Sequence, residues 1–420
     1  MEEMEKVDAM TVADEAVKNR QFDVVRVVDA RMGRGKTSAA IQYMDENAGK
    51  KRFIYVTPYL AEVDRICDAC GFDQPDDEAS TKLATMKQLM DKGRNIATTH
   101  SLFYNMDEGC IDLIQSMGYC LIVDESLNVL SKSQLPSGDI ALLTKFCTTL
   151  NEDGTLTWML DDYDGVFNSI MEQAKHGSLH YIDGFLYNLM NPELLTSFSE
   201  VWMLTYLFDG QLERAYLEYF DIPYEIWGVD TTNGHRFAPG PDKPEPVDYG
   251  KLIDIIMDEN MNEIGDNRFA LSATSMQGLP YKDKYIRRLR GNLNRFMCDY
   301  AGVPACERLW TTYKGCADLL DQRSHRYRSQ FLQVSARATN EYRNCSALAY
   351  MANRFVDPNY PKFFARRGVN IDHNQFALSE LLQWVWRSRI RDGKPIKLYI
   401  PSSRMRKLLT DWIEENKGEN

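Results

Sequence analysis

The residues 30–37 run Ala30-Arg-Met-Gly33-Arg34-Gly35-Lys36-Thr37 and fit the phosphate-cradling pattern G-x-x-x-x-G-K-[ST], with Ala30 in place of the first glycine. The chemistry of such a loop is anion binding. Gly33 and Gly35 let the backbone turn so that successive N–H groups, those of Arg34 and Ser38 included, face phosphate oxygens. The N-terminus of the following helix adds its positive dipole. Lys36 would reach the β- and γ-phosphates, and the Thr37 hydroxyl would ligate Mg²⁺. A second box stands about ninety residues on, Leu121-Ile-Val-Asp124-Glu125-Ser126. There Asp124 would hold the magnesium and Glu125 would orient and deprotonate the attacking water. An acidic pair after a strand is on its own an ordinary surface turn, and it gains meaning from the P-loop before it. Together the boxes point to nucleotide hydrolysis, with ATP and Mg²⁺ as cofactors. No N-K-x-D guanine box is present, which argues against GTP.

Elements of a definite kind must hold these residues. Residues 24–29 (VVRVVD), 53–56 (FIYV), 95–98 (NIAT, a weaker case), 120–123 (CLIV) and 201–208 (VWMLTYLF) read as strands, the last two without a polar face. Helical patterns over 37–47 and 59–70, and from 101 onward, separate them. Strands buried on both faces and alternating with helices predict a parallel α/β sheet. Residues 128–200 are too long for one crossover and are expected to form a helical insertion. Residues 231–250 carry four prolines and three glycines and read as a linker. Beyond it strands are expected at 268–273, 330–334 and 395–400, and helices at 284–300, 341–355, 377–391 and 402–416. Residues 1–20 read as a polar, frayed helix. The domains expected are thus a tail (1–20), an ATP-binding domain (21–230), the linker, and a second domain (251–420).

The chain has 420 residues, 49 Lys+Arg against 61 Asp+Glu and a formal charge of −12. The imbalance is uneven: residues 251–420 hold 28 basic and 19 acidic side chains (+9), and residues 1–250 hold 21 and 42 (−21). Overall acidity therefore does not exclude a nucleic-acid partner, since the second half alone can offer a basic face. No apolar run approaches the roughly 18 residues of a membrane span, and the acidic N-terminus is not that of a signal peptide. Nine scattered cysteines, with one C-x-x-C at Cys67 and Cys70, read as reduced thiols in a cytoplasm.

The order of the boxes resembles the superfamily 2 helicases, the DEAD/DEAH-like group. Val56-Thr57-Pro58 and Ala97-Thr98-Thr99-His100-Ser101 resemble that group's nucleic-acid boxes, Asp124-Glu125-Ser126 its DExx box, and Leu204-Thr205-Tyr206 its coupling S-A-T. In the second half, residues 335–342, with Arg337, Thr339 and Asn340, resemble the R-G-T-x-x-N box. Gln383-Trp-Val-Trp386-Arg387-Ser-Arg389-Ile-Arg391 resembles Q-x-x-G-R-x-x-R. The closing stretch from residue 377 resembles helicases encoded by tailed phages and prophages. The resemblance implies two RecA-like domains and an ATP-dependent helicase or translocase acting in phage DNA replication or recombination. Its partners would be single-stranded DNA or RNA and other phage replication proteins, in the host cytoplasm, with no membrane. It implies strand contacts at Thr57, Pro58, Thr99, Ser101, Arg337, Thr339 and Asn340, coupling through Thr205, and catalytic roles for Gln383, Arg387 and Arg391 beside Glu125.

Two departures stand out. Trp386 replaces the family glycine, and the arginines are spaced R-x-R-x-R. On a continuous helix Arg387 and Arg391 would share a face, so both are expected at the γ-phosphate, Arg387 foremost, with Arg389 pointing elsewhere. Ser272-Ala273-Thr274 also spells S-A-T, but it lies past the linker and is expected to open the second domain; Thr205 is taken as the coupling residue. Competing functions are a nucleic-acid-stimulated ATPase, loader or remodeller without strand separation, and a packaging ATPase, which would need a carboxylate-rich nuclease domain that the second half does not offer.

Overall fold

A computed structural model describes residues 22–76, 81–243, 247–321, 326–335 and 341–417. The expected tail at 1–20 and the box residues Arg337, Thr339 and Asn340 lie outside these.

The first lobe is built on seven strands in the order β12-β11-β1-β10-β4-β2-β3. Five of them carry the box ends: β1 (Val25–Asp29), β2 (Arg52–Thr57), β3 (Ile96–Thr99), β4 (Tyr119–Asp124) and β10 (Glu200–Thr205). All pair in parallel, as does β11 (Tyr224–Asp230) with β1. Their apolar side chains fill both faces: Val25, Val27, Ile54 and Leu121 pack into one core layer, and Val28, Phe53, Tyr55 and Ile122 into the other. Helix α1 (Lys36–Glu46) follows β1, and α2 (Leu60–Cys70) follows β2. In a parallel sheet the ligand-binding edge lies at the carboxyl ends of the strands, and every box of the first half ends a strand there.

The insertion is present but is mixed in structure, a correction to the helical reading. β5 (Leu130–Lys132), β9 (Phe185–Leu189) and β8 (Leu179–Ile182) form an antiparallel sheet, and β6 (Thr148–Leu150) pairs with β7 (Leu156–Trp158). Asp183 (φ 48°) and Gly184 (φ 87°) make the tight turn between β8 and β9. Helix α3 (Leu212–Tyr219) then runs back along the first lobe. The stretch expected as a linker begins as β12 (Arg236–Pro239), which pairs antiparallel with β11 and closes the sheet edge.

The second lobe has four parallel strands, in the order β13 (Ile253–Ile255), β16 (Ile396–Tyr399), β15 (Ala347–Tyr350), β14 (Arg308–Thr311). Both lobes thus have the parallel α/β build expected of paired RecA-like domains. Three local expectations are overturned. Residues 268–273 form turns, so β13 opens the lobe; 330–334 is irregular apart from one bridge at Phe331. Residues 341–355, expected as a helix, contain β15, because a buried four-residue apolar run reads alike in either state. Helices α4 (Lys284–Arg295), α6 (His373–Val385) and α7 (Ser403–Glu415) cover the sheet, while the phenylalanines of α5 (Asn359–Ala365) pack into the first lobe's core. Among the described residues no helix is long and apolar enough to cross a membrane.

Candidate active site

The P-loop takes the shape its glycines permit. Gly33 and Gly35 both stand at φ 84°, in the left-handed region. A Cβ at Gly35 would overlap the His235 ring, which sits on the loop from the β11–β12 turn. Gly35 is also the N-cap of α1 and offers no side chain to the first-turn N–H groups, so they remain a site for an anion. The Arg34 side chain turns away to the same hairpin, donating to the Val229 carbonyl (3.0 Å) and pairing with Asp242 (3.3 Å). That leaves only its backbone N–H facing the loop. Lys36 is half-buried and donates to the carbonyls of Ala30 and Arg31 (3.2 Å for the latter). Burial pulls its ammonium below the usual lysine range, against the attraction of Asp124, Asp29 and Glu125.

The two boxes meet through one hydrogen bond: Thr37 Oγ1 donates to Asp124 Oδ2 at 2.8 Å. The register explains it, since β10 lies between β1 and β4, pairing Val28 with Leu204 and Leu204 with Asp124. Tyr55 Oη, from β2, donates to the same Asp124 oxygen at 2.6 Å. Burial, followed by the Asp124 charge, drives the Tyr55 phenol well above its usual range, so it remains a donor. His100 Nε2 lies 3.2 Å from the Asp124 carbonyl. Glu125 adopts φ 64°, a conformation that costs a residue with a Cβ roughly 1–3 kcal/mol and recurs at functional sites. The hydroxyl of Thr37 and the carboxylate of Asp124 fit a Mg²⁺ ion that keeps most of its waters. Among the described residues no cluster of three or more His, Cys, Asp or Glu forms an alternative metal site.

Thr205 ends β10 beside these groups. Its carbonyl accepts from Ala30 N (3.1 Å), and with Glu125 and Ser126 it lines one small cavity. Ser126 Oγ donates to Gln211, whose amide donates to the Tyr206 carbonyl (3.0 Å) and to Ser379 of α6 (3.4 Å). Gln211, Tyr55 and His235 carry no recognisable spacing and escape a motif reading, and His100, though inside one of the boxes, receives no role of its own from the resemblance. Tyr55 alone had a signal: it is the one polar tip in the apolar run of β2.

The second lobe closes on this edge. Met32 packs into the second lobe's core, and the Arg31 guanidinium lies over Tyr249 (5.5 Å) and Trp412 (5.9 Å) and bonds Asn416. Helix α6 ends at Val385, and Ser388, in extended conformation, caps a separate turn over Arg389–Asp392. Arg387 and Arg391 therefore do not share a helix face, which corrects that expectation. The Arg391 carbonyl comes within 3.7 Å of the Cβ position at Gly33, and its charge acts on Glu62 of α2. Arg387 is 8% exposed and lines, with Gln383, a larger cavity of about 950 Å³ between the lobes. Arg389 points elsewhere, donating to the Pro395 carbonyl (2.6 Å). Ser272 and Thr274 line the large cavity and not the Glu125 side.

Of the residues expected on the strand, Ser101 is exposed, and Pro58 and Thr99 are half-buried. Thr99 also caps its helix by accepting from Leu102 N (3.4 Å). Thr57, 1% exposed, has no surface to offer in this arrangement.

Comparison with known proteins places the chain. The model for the YonV C-terminal Rossmann-like domain matches residues 247–413. The SPbeta prophage-derived protein YonV of Bacillus subtilis (strain 168) is 33% identical over 413 residues, spanning 94% of this chain and 99% of that protein. Among solved structures, an XPD helicase aligns with TM-score 0.45 at 12% identity, over 96% of this chain and 98% of its own. Xpd4 of S. tokodaii gives TM-score 0.45 at 12% identity, over 97% of each chain. The helicase MrfA bound to DNA and AMPPNP gives 0.33 at 11%, over 98% of this chain and 50% of its own. By its identity to YonV along nearly the whole of both chains, the protein belongs to the YonV family.

Proposed function

We propose that the protein is an ATP-driven motor on single-stranded nucleic acid, a helicase or translocase of the superfamily 2 kind serving phage DNA replication or recombination. The observation that carries the reading is the joining of Thr37 to Asp124 at 2.8 Å beside a P-loop whose Gly33 the Arg391 backbone carbonyl of the other lobe approaches. The P-loop amides from Gly33 to Ser38 and the Lys36 ammonium bind the phosphates; Thr37 and Asp124 hold Mg²⁺. Such an ion would supply charge neutralisation to the phosphates. Glu125 orients the attacking water and takes its proton. Arg391 brings positive charge to the γ-phosphate from across the cleft, the placement by which an arginine accelerates phosphoryl transfer by about 10³–10⁵. Gln383 and Arg387 stand on the cavity side of the same segment and link nucleotide state to strand grip. Thr205, on the strand between the two boxes, transmits the change.

The strand runs across the carboxyl edges of both sheets, past Pro58, Thr99 and Ser101 in the first lobe and Ser335 in the second. Phosphate grip of this kind is salt-sensitive and largely indifferent to sequence. The test is the ATPase rate with and without single-stranded DNA, RNA serving as competitor, beside a fluorescent fork-unwinding assay. Stimulation by a strand is expected; a rate unchanged by either polymer refutes the motor. Stimulation without fork opening assigns translocation alone.

A further inference from the structure

The chain between β15 and α6 leaves its own lobe. Phe363 and Phe364 of α5 are buried in the core of the first lobe. Phe363 stacks on Tyr219 of α3 (4.7 Å) and meets the His180 ring edge-on (5.9 Å). Tyr360 packs against Tyr187 of β9 (5.9 Å). Arg367 lies over the Tyr219 ring (4.6 Å) and donates to its carbonyl (2.8 Å), while Arg214 donates to the Asn370 carbonyl (2.7 Å). This arm is therefore a second, apolar attachment between the lobes. A separate attachment lies where Gly210 packs against the backbone of Gln375 and Phe376 at the start of α6, leaving no room for a Cβ.

The large cavity lies between these two attachments. Asn128 and Leu130 line it from the first lobe, Pro358 and Tyr360 from the arm, and Arg354 and Arg387 from the second lobe. First lobe, α6 contact, second lobe and arm thus form a closed ring of protein. At the rim Phe269, 58% exposed, packs on Phe355 (5.7 Å) and offers an aromatic face of the kind on which bases stack. Arg354 is balanced by Glu380 (2.7 Å), and Asp357 adds a carboxylate on the arm side. Arg387 and the hydroxyls of Ser272, Thr274 and Ser275 face the same space.

We propose that this cavity is the passage of the nucleic-acid strand, and that the arm closes the passage into a ring, so that the strand is loaded by its end. The inference rests on the motor reading above and deepens it. A wall shared by both lobes changes shape whenever they open or close, which is what a strand-moving site requires. An arm held by buried aromatic rings is a standing clasp and not a mobile lid.

The experiment compares ATPase stimulation of the full chain by a linear single strand and by a covalently closed circle of the same sequence, in DNA and in RNA. Stimulation by the linear form with rates at the basal level on the circle is the expected result. Equal stimulation by both overturns the ring and leaves the motor standing; stimulation by neither overturns the motor itself. A variant combining Phe363→Ala with Arg367→Ala loosens the clasp and is expected to restore stimulation by circles while keeping that by linear strands. Retained refusal of circles by this variant, with linear stimulation intact, removes the arm from the explanation.

Discussion

The two ends of the interlobe cleft are built on different principles. On the P-loop side every functional group ends a parallel strand: Gly33 to Thr37 after β1, Asp124 and Glu125 at β4, Thr205 at β10. Strand register alone sets their spacing, and a single hydrogen bond, Thr37 to Asp124, locks two boxes 87 residues apart. On the cavity side the groups come from a broken helix end, an arm that crosses between lobes and a turn after β13. There nothing periodic sets the spacing, and each group is placed by where a helix stops. The first side is set within one sheet and is suited to holding phosphates; the second draws its lining from both lobes and the arm.

The largest expected effects fall on the P-loop side. Lys36→Ala and Glu125→Gln should each lower ATP turnover by about 10³ or more, the scale for removing a group aimed at developing charge. Glu125→Gln should still bind ATP, because it changes the base and leaves Lys36, Thr37 and Asp124 in place. Turnover that persists in Glu125→Gln removes the assigned base.

The next pair separates the two sides. Arg391→Ala should cut the basal rate by roughly 10³, since its segment overhangs Gly33. Arg387→Ala should leave more basal activity and raise the strand concentration needed for half-maximal stimulation by about tenfold, the loss of one or two phosphate contacts. If Arg387→Ala instead abolishes basal turnover while Arg391→Ala is near normal, the finger is Arg387 and the assignment by proximity to the P-loop fails.

The same contrast explains what was legible. The runs VRVVD and YCLIVD announce buried strands, and the glycines and acidic pair that follow them can do little else at a strand end. Helix α6 misled because nothing in 377–391 resembles a stop. Its end is set by Trp386, packed against Tyr249 (5.4 Å) and Trp412 (5.5 Å), and by the Ser388 cap. Tertiary packing decided where the helix stopped, and with it where two arginines point. The insertion misled for a different reason. Its strands are only three to five residues long, but the Asp183-Gly184 pair is a hairpin signal that the sequence does display. The arm could not be read at all, because Phe363 and Phe364 look like core of their own lobe until their neighbours are known.

A smaller effect tests whether the P-loop side owes its geometry to more than the boxes. Tyr55→Phe removes a 2.6 Å hydrogen bond to Asp124 without changing shape. The loss should be about 1–2 kcal/mol of stability in urea denaturation, with a higher Mg²⁺ requirement. An unchanged Mg²⁺ dependence would make Tyr55 a packing residue only.

The smallest effect is a pH dependence confined to the other side. His180, buried in the insertion against Phe363 of the arm, has its imidazole pulled below the ordinary 6.5, first by burial and also by the Arg366 charge, against the opposing Ser178 carbonyl and Asp153. A histidine with a lowered folded value binds its proton more readily when undocked. Docking is therefore undiminished above about 6.5 and weakens as pH falls below it. Limited proteolysis within residues 357–371 should accelerate over that range, and His180→Phe, which keeps an aromatic ring against Phe363, should flatten the dependence. The proteolysis step should be absent from α1, which packs on β12 and α2. A step of equal size in both regions would mean that acid loosens the whole molecule, and that the arm is no more separable from the nucleotide edge than one core strand is from the next.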